Sequence, residues 1–230
     1  MRRLQTLCAV IALVVATLLA PTASAGGYRS ITLTFVRHAQ SAGNASGLID
    51  SSTPGPSLTD LGRTQAAASA QRLAPHHYDG IFASTMIRTQ QTAQPMADTL
   101  HEAITVLPGL HEVEAGIYEG QPEASAVQTY FAAPERWLRG DRSARIPGSI
   151  DGNEFDARFD EAVQQNYDSG DDNPVAYSHG AAIMLWVQMN VGNPNPQLLM
   201  QHPLDNTGYV VIEGNPTDGW TLADWDGAGS

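Results

Sequence analysis

Short apolar runs alternate along this chain with longer stretches in which apolar residues recur at helical spacing. Residues 31–36 are rich in β-branched and aromatic side chains and predict a buried strand whose last residues emerge at a sheet edge. Residues 79–84, 104–107 and 174–178 predict further strands, and 207–213 and 220–225 two more. Between them, Thr59 is placed to cap a helix that runs through alanine-rich sequence to about Leu73, and Pro75 stops it. Residues 85–100 read as a helix despite Pro95, 153–167 as a helix ended by the Gly-Asp-rich turn 169–173, and 181–189 as an apolar, buried helix. Residues 47–57, with their Ser, Pro and Gly, form a loop. From 108 to 150 the pattern is irregular apart from one predicted helix over 123–138, so this segment reads as a small insertion that caps the site. The alternation predicts an α/β fold, a three-layer α/β/α sandwich around a mostly parallel sheet.

The N-terminus departs from this pattern. Arg2 and Arg3, an apolar run over 7–20, Pro21 and then Ala23-Ser24-Ala25 have the three-part layout of a secretory signal, with cleavage expected after Ala25. The apolar core is short for a bilayer span, which disfavours an uncleaved anchor. Paired arginines are ordinary in such a segment and do not decide between general and twin-arginine export. Residues 26–230 then suit one domain, and no other stretch reads as a membrane span. The only cysteine, Cys8, lies in the signal, so the exported domain is expected to rest on an ordinary core without disulfides.

All 12 basic residues are arginines, against 24 acids, for a net charge of −12, and loss of Arg2 and Arg3 deepens this to −14. Nucleic acid is therefore an unsuitable partner. An anionic substrate would need positive charge gathered locally at its site. Oligomeric state is left open by the sequence.

Candidate chemistry gathers just past the predicted strands. Arg37 and His38 end the first, where ligands bind in open α/β sheets, and they offer an anion clamp beside a nucleophile or base. Small residues at 39 and 41–43 let backbone amides approach an anion, and Asn44 adds a donor. Arg88 lies in the run 84–93, Glu112 in 110–120, and Ser178-His179-Gly180 closes a later strand. Phosphoryl transfer needs such a set: a nucleophile, donors for the equatorial oxygens, and an acid for the leaving oxygen.

These four motifs, in this order, resemble the histidine phosphatase superfamily in its phosphoglycerate-mutase-like branch. Arg37-His38-Ala39-Gln40-Ser41 with Asn44 resembles the nucleophile signature, Ser84 through Ala93 the second arginine motif, and Leu110-His111-Glu112 with Gly116, Glu119 and Gly120 the acid-bearing motif. Ser178-His179-Gly180 resembles the late histidine motif. The resemblance covers about 31–211 and implies a secreted phosphomonoesterase acting on a phosphorylated small molecule without metal or cofactor. It implies that His38 is transiently phosphorylated, that Arg37, Arg88 and His179 hold phosphoryl oxygens with Asn44 and Gly180 beside them, and that Glu112 handles the proton. A phosphoglycerate-type mutase is the close rival, although Val113-Glu114-Ala115 stand where such mutases place basic residues. A phosphate-binding module without turnover ranks behind both.

Other readings are weaker. Glu114 and Glu119 compete with Glu112 as the acid. Ser178 beside His179 suggests a serine hydrolase, but no Gly-x-Ser-x-Gly elbow is present. His76-His77, His101-Glu102 and His111-Glu112 lack zinc-type spacing, and these histidines and His202 are assigned structural roles. Arg136, Arg139, Arg142 and Arg145 recur every third position. They read first as a solvated face paired with Glu135 and Asp141. The sharper alternative has some of them reach a second anionic or hydroxyl-rich part of the substrate, helped by Tyr130, Phe131 or Trp137. From the N-terminal layout, sequencing of protein recovered outside the cytoplasm should start at Gly26, and full-length chain held only in membranes would contradict this.

Overall fold

The computed structural model describes residues 27–228. The signal-like segment, with Cys8 and the expected cleavage site, lies outside the described residues. The strands are β1 (Ile31–Arg37), β2 (Gly80–Ala83), β3 (Ile104–Val106), β4 (Pro174–Ser178), β5 (Tyr209–Asn215) and β6 (Gly219–Trp225). The helices are α1 (Ala42–Ser46), α2 (Asp60–Leu73), α3 (Ile87–Leu100), α4 (Glu123–Tyr130), α5 (Ala132–Leu138), α6 (Gly152–Asp168), α7 (Gly180–Asn190) and α8 (Gln197–Gln201).

One sheet runs β3-β2-β4-β1-β5-β6. The pairs β2·β3, β2·β4 and β1·β4 are parallel, and the β5–β6 hairpin joins β1 antiparallel. The central parallel strands are covered on both faces, and every residue of β2 and β4 is buried, whereas the edge strand β3 is largely exposed. Successive side chains of a strand point to opposite faces, and the two cores follow that rule. Val36, Ile81, Val175 and Tyr177 pack with Ala70, Leu73, Ala93 and Met96 of α2 and α3. Leu33, Phe35, Phe82 and Ala176 pack on the other side with Phe155, Phe159 and Trp186, and the Phe159 and Trp186 rings stack at 5.2 Å. The result is three layers. Among the described residues no helix is long and apolar enough to cross a membrane.

Three elements differ from the sequence reading, one of them the short helix α8, which lies in a stretch to which that reading gives no element. The helix expected over 123–138 breaks at Phe131 into α4 and α5. Pro134 explains the break, since it has no N–H to give to Tyr130 and its ring would crowd that carbonyl in a continuous helix. Residues 42–46 form the short helix α1, which Ser41 and Asn44 start through a reciprocal capping box.

The loop after β1 is fixed by α2. Thr59 donates its backbone N–H to the Gln40 carbonyl at 3.0 Å, and its hydroxyl accepts from the Gly62 amide at 3.0 Å. Gly62 lies so close to this loop that a Cβ there would sit 2.0 Å from the Gln40 carbonyl oxygen. Gly62→Ala should therefore destabilise the protein by about 1–3 kcal/mol, the usual cost of overpacking, although alanine is the better helix former. Urea unfolding measures this. An unchanged or higher midpoint would show that the loop yields freely.

Candidate active site

Because β1, β2 and β4 run parallel, their carboxyl ends lie on one rim, and the motifs that follow them converge there. Arg37 ends β1, Ser84 follows β2 and His179 follows β4. Arg88 comes from the first turn of α3. His38, Arg88 and His179 are all buried, at 3%, 3% and 0% exposure.

Donor and acceptor chemistry fixes both imidazoles. His38 Nδ1 lies 2.8 Å from the Ala39 carbonyl, which can only accept, so Nδ1 carries the proton. Arg88 Nε donates to His38 Nε2 at 3.0 Å, so Nε2 presents its lone pair to the guanidinium side. His179 has the opposite tautomer. Its Nδ1 accepts from Arg88 Nη2 at 3.2 Å, and its Nε2–H donates to Ser84 Oγ at 2.8 Å. The Ser84 hydroxyl continues to Thr89 Oγ1 at 3.0 Å, which donates to the Met86 carbonyl at 2.8 Å. This buried chain holds His179, and its serine and threonine were motif positions to which sequence reasoning gave no role.

Burial, the Arg88 charge and the Arg37 charge push the His38 imidazole well below its usual pKa, against a smaller opposing effect of the Ala39 hydrogen bond. His179 is driven the same way by burial and then by Arg88, His38, His111 and Arg158. Both rings are therefore driven toward their neutral forms. Burial also lowers the Arg88 pKa, opposed by Glu112 and Asp50.

Two guanidinium nitrogens at the site, Arg37 Nε and Arg88 Nη1, are buried without a hydrogen-bond partner among the described residues. Arg37 Nη1 donates to the Leu204 carbonyl at 2.5 Å, and Arg88 Nη2 to the Asp50 carbonyl at 3.0 Å. A buried donor left unpaired is costly, so two of them beside an imidazole lone pair describe a cradle for an anion. Gly180 fits against Arg37, where a Cβ would come within 3.1 Å of Nε. Asn44 turns its Oδ1 to the Ser41 amide at 3.1 Å, and the Asn206 amide donates to the His38 carbonyl at 2.9 Å. Asn206 lies in a stretch that sequence reasoning left unassigned.

A cavity of about 400 Å³ opens over this cradle. Arg37, His38, Asn44, Arg88, Glu112 and Gly180 line it, whereas His179 stands behind Arg88. The carboxyls separate clearly. Glu112 Oε1 accepts from the amides of Val113 at 2.9 Å and Ala182 at 3.0 Å, which fixes its carboxylate at the start of α7. Glu114 turns away to Arg158 at 3.5 Å, and Glu119 is taken up by Ser51, whose hydroxyl donates at 2.6 Å. Asp50 is a cavity carboxyl that the sequence did not single out, since it lies within an irregular loop. Burial raises its pKa, partly offset by Arg88, whose Nη1 is 3.8 Å from Oδ2.

The arginine series 136–145 does not reach this cavity. Arg136 pairs with Asp141, Arg139 with Glu135 at 3.7 Å, Arg142 with Asp156, and Arg145 with Asp151 at 2.6 Å and Glu154 at 2.7 Å. Arg136, Arg142 and Arg145 are hydrogen-bonded to these acids, and Arg139 stands exposed on the margin of an adjoining groove, so none of the four reaches the phosphoryl cradle. Tyr130 and Phe131 do line the cavity, while Trp137 is buried beneath with its indole N–H on the Ala144 carbonyl at 2.7 Å. His111 sits near His179, its Nε2 2.8 Å from Thr53 Oγ1. His76 stacks on Tyr78, His101 ends α3, and the His202 carbonyl accepts from Trp225. Among the described residues no three of His, Cys, Asp or Glu are grouped as metal ligands.

The family model of the histidine phosphatase superfamily (branch 1) matches residues 33–226. The PE-PGRS family protein PE_PGRS11 of Mycobacterium tuberculosis (strain ATCC 25618 / H37Rv) is 48% identical over 218 residues, 88% of this chain, which spans only 37% of that protein's length. The probable phosphoglycerate mutase GpmB of Yersinia pestis (strain Pestoides F) is 29% identical over 160 residues, 69% of this chain and 74% of that one. In fold, the chain resembles a mycobacterial glucosyl-3-phosphoglycerate phosphatase in complex with VO3, with a TM-score of 0.70 at 21% identity, over 86% of this chain and 100% of that one.

The histidine environment predicts a pH dependence whose sign is fixed. Between the lowered folded pKa values and about 6.5, the unfolded chain binds protons that the folded chain refuses, so stability falls as pH drops through this window and is level above it as far as these two groups act. Nitrogen NMR of the imidazoles should find His38 neutral and protonated on Nδ1, and His179 neutral and protonated on Nε2, at about pH 5.5, where an ordinary histidine is mostly charged. Charging of either ring at or above the ordinary value would contradict the geometry.

Proposed function

The chain belongs to the histidine phosphatase superfamily, and on that footing we propose that it hydrolyses phosphate monoesters through a phosphohistidine on His38. The observation that carries this reading is the His38 Nε2 lone pair, held 3.0 Å from Arg88 Nε beside the unpaired Arg37 Nε and Arg88 Nη1. A phosphoryl group entering there takes over these donors. Nε2 attacks phosphorus as the P–O bond to the leaving group breaks, while the Nδ1–H bond to Ala39 stabilises the positive charge that develops on the ring. The two guanidinium groups stabilise the equatorial oxygens, and His179, held through Ser84, positions Arg88. Glu112 gives its proton to the leaving oxygen and then takes one from the water that cleaves the P–N bond, so that alcohol and inorganic phosphate leave and the enzyme returns to its starting state. The signal-like N-terminus supports an enzyme that works outside the cytoplasm.

A mutase must also hold the second anionic group of a phosphoglycerate. Among the described residues the cavity offers Arg37 and Arg88 as its cations, and both serve the first phosphoryl group. A module that binds phosphate without turnover has no need of a neutral, oriented imidazole lone pair.

Rapid mixing with labelled substrate and quenching tests the proposal. The enzyme should carry an acid-labile, base-stable phosphoryl group, lost together with turnover in His38→Ala. Comparing leaving groups in the same single-turnover experiment identifies the proton donor. Glu112→Gln should slow phosphorylation by alkyl phosphates by roughly 10²–10⁴-fold and by nitrophenyl phosphate much less, because nitrophenolate departs without a proton. Asp50→Asn should affect the two alike. Acid-stable label would remove the phosphohistidine, and a leaving-group-selective loss in Asp50→Asn instead would transfer the acid role to Asp50.

A further inference from the structure

Beyond the phosphoryl cradle the cavity wall changes character. Asp50, Glu112 and Glu123 supply its carboxylates, and Ile49, Val127, Phe131, Met184 and Leu199 are among its apolar residues. Among the described residues, a second anionic group held in this cavity would lie among these carboxylates with no cation other than the two of the phosphoryl cradle. The apolar part of the wall leads out of the cavity. A groove of about 650 Å³ adjoins it, and Val127, Phe131, Ala181, Met184 and Leu199 line both. The groove then continues between α4–α5 and α7–α8 past Leu138 and Leu185 to Met200, which is 88% exposed. Gln128, Glu135 and Arg139 make its polar margin, where Arg139 and Glu135 pair with each other.

We propose that the substrates are amphiphilic phosphate monoesters, with the phosphate in the arginine cradle and an uncharged alkyl or similar apolar chain along this groove. The proposal rests on the phosphatase reading and narrows its substrate class. Three observations favour a substrate chain as the occupant of the groove. The groove is continuous with the cavity through five shared residues, the shared wall is wholly apolar, and Ala181 at the junction neighbours Ala182, whose amide holds the Glu112 carboxylate that serves the leaving oxygen. Burial of the chain binds it by the hydrophobic effect, which needs no charge from a protein as acidic as this one.

Alkylphosphonates test the chain site without turnover, because their C–P bond is not hydrolysed. Across methyl, butyl, hexyl, octyl and decyl phosphonate, each below its micelle concentration, calorimetry should show Kd falling by roughly two- to fourfold per methylene until the groove is filled. A phosphonate ending in a carboxylate should bind more weakly than its methyl-ended counterpart of equal length. Val127→Asp at the junction and Met200→Glu at the exposed end should each lower the ratio of decyl to methyl affinity, the first more than the second, and the exposed position keeps the second variant free of folding problems. The matching alkyl phosphates, assayed for phosphate release, should show the same trend in kcat/KM. A Kd independent of chain length, or tighter binding of the carboxylate-ended compound, would overturn the proposal and assign the groove to some other occupant. A steep Kd series with no phosphate released from the esters would leave the chain site standing and remove the phosphatase reading instead.

Discussion

The guanidinium of Arg88 is held between two neutral imidazoles at 3% exposure, and much of the site depends on that arrangement. A charge removed from water has to be compensated, and here the Asp50 carbonyl, the more distant Asp50 carboxylate and the field of Glu112 do so only in part. Arg37 adds repulsion from the same side. The remaining demand is for negative charge, and it lies where His38 Nε2 points. This one buried cation thus donates to one nitrogen of each histidine, adds to the burial that lowers both imidazole pKa values, and defines where an anion is stabilised.

Holding Arg88 there takes support from several elements. Its first-turn position on α3 is tied back through Thr92, whose hydroxyl donates to the Arg88 carbonyl at 2.6 Å and accepts the Ala39 amide at 3.0 Å. The loop after β1 and the start of α3 are therefore one unit. Gly55, in the left-handed region at φ 67°, passes so near Arg88 that a Cβ would lie 2.9 Å from Nη1. A side chain there would compete with the guanidinium for space as well as strain the backbone. On the far side of the sheet, the aromatic core around Phe155, Phe159 and Trp186 anchors α6 and α7. That packing fixes where α7 begins, and the Ala182 amide there orients Glu112.

The same elements divide the cavity into two environments. The sheet rim supplies cations and neutral imidazoles, while α4, α7 and α8 supply Val127, Met184 and Leu199. A low-dielectric wall beside the arginines strengthens their attraction for a phosphoryl group, because fewer waters compete for it. The break between α4 and α5 matters here, since it leaves Phe131 at the junction between cavity and groove.

By itself the sequence determined the alternation of strands and helices, the sandwich architecture and the four reactive segments at strand ends. These are properties of local periodicity, caps and short motifs, which neighbouring residues encode: the six residues of β1 before its arginine are β-branched, aromatic or leucine, and Thr59 caps α2 as its side chain dictates. Tertiary structure alone decided which carboxyl faces the cavity. Glu112, Glu114 and Glu119 are close in sequence, yet one meets α7, one meets Arg158 and one meets Ser51, and Asp50 arrives from a loop with no periodic signal. It likewise decided that Arg142 meets Asp156 and that Asn206 reaches the His38 carbonyl, whereas the pairing of Arg136 with Asp141 and of Arg139 with Glu135 follows from their spacing in the sequence. The physical reason is that these outcomes depend on pairings across large sequence separations, and a charge or a donor carries no local mark of the partner that folding will bring to it.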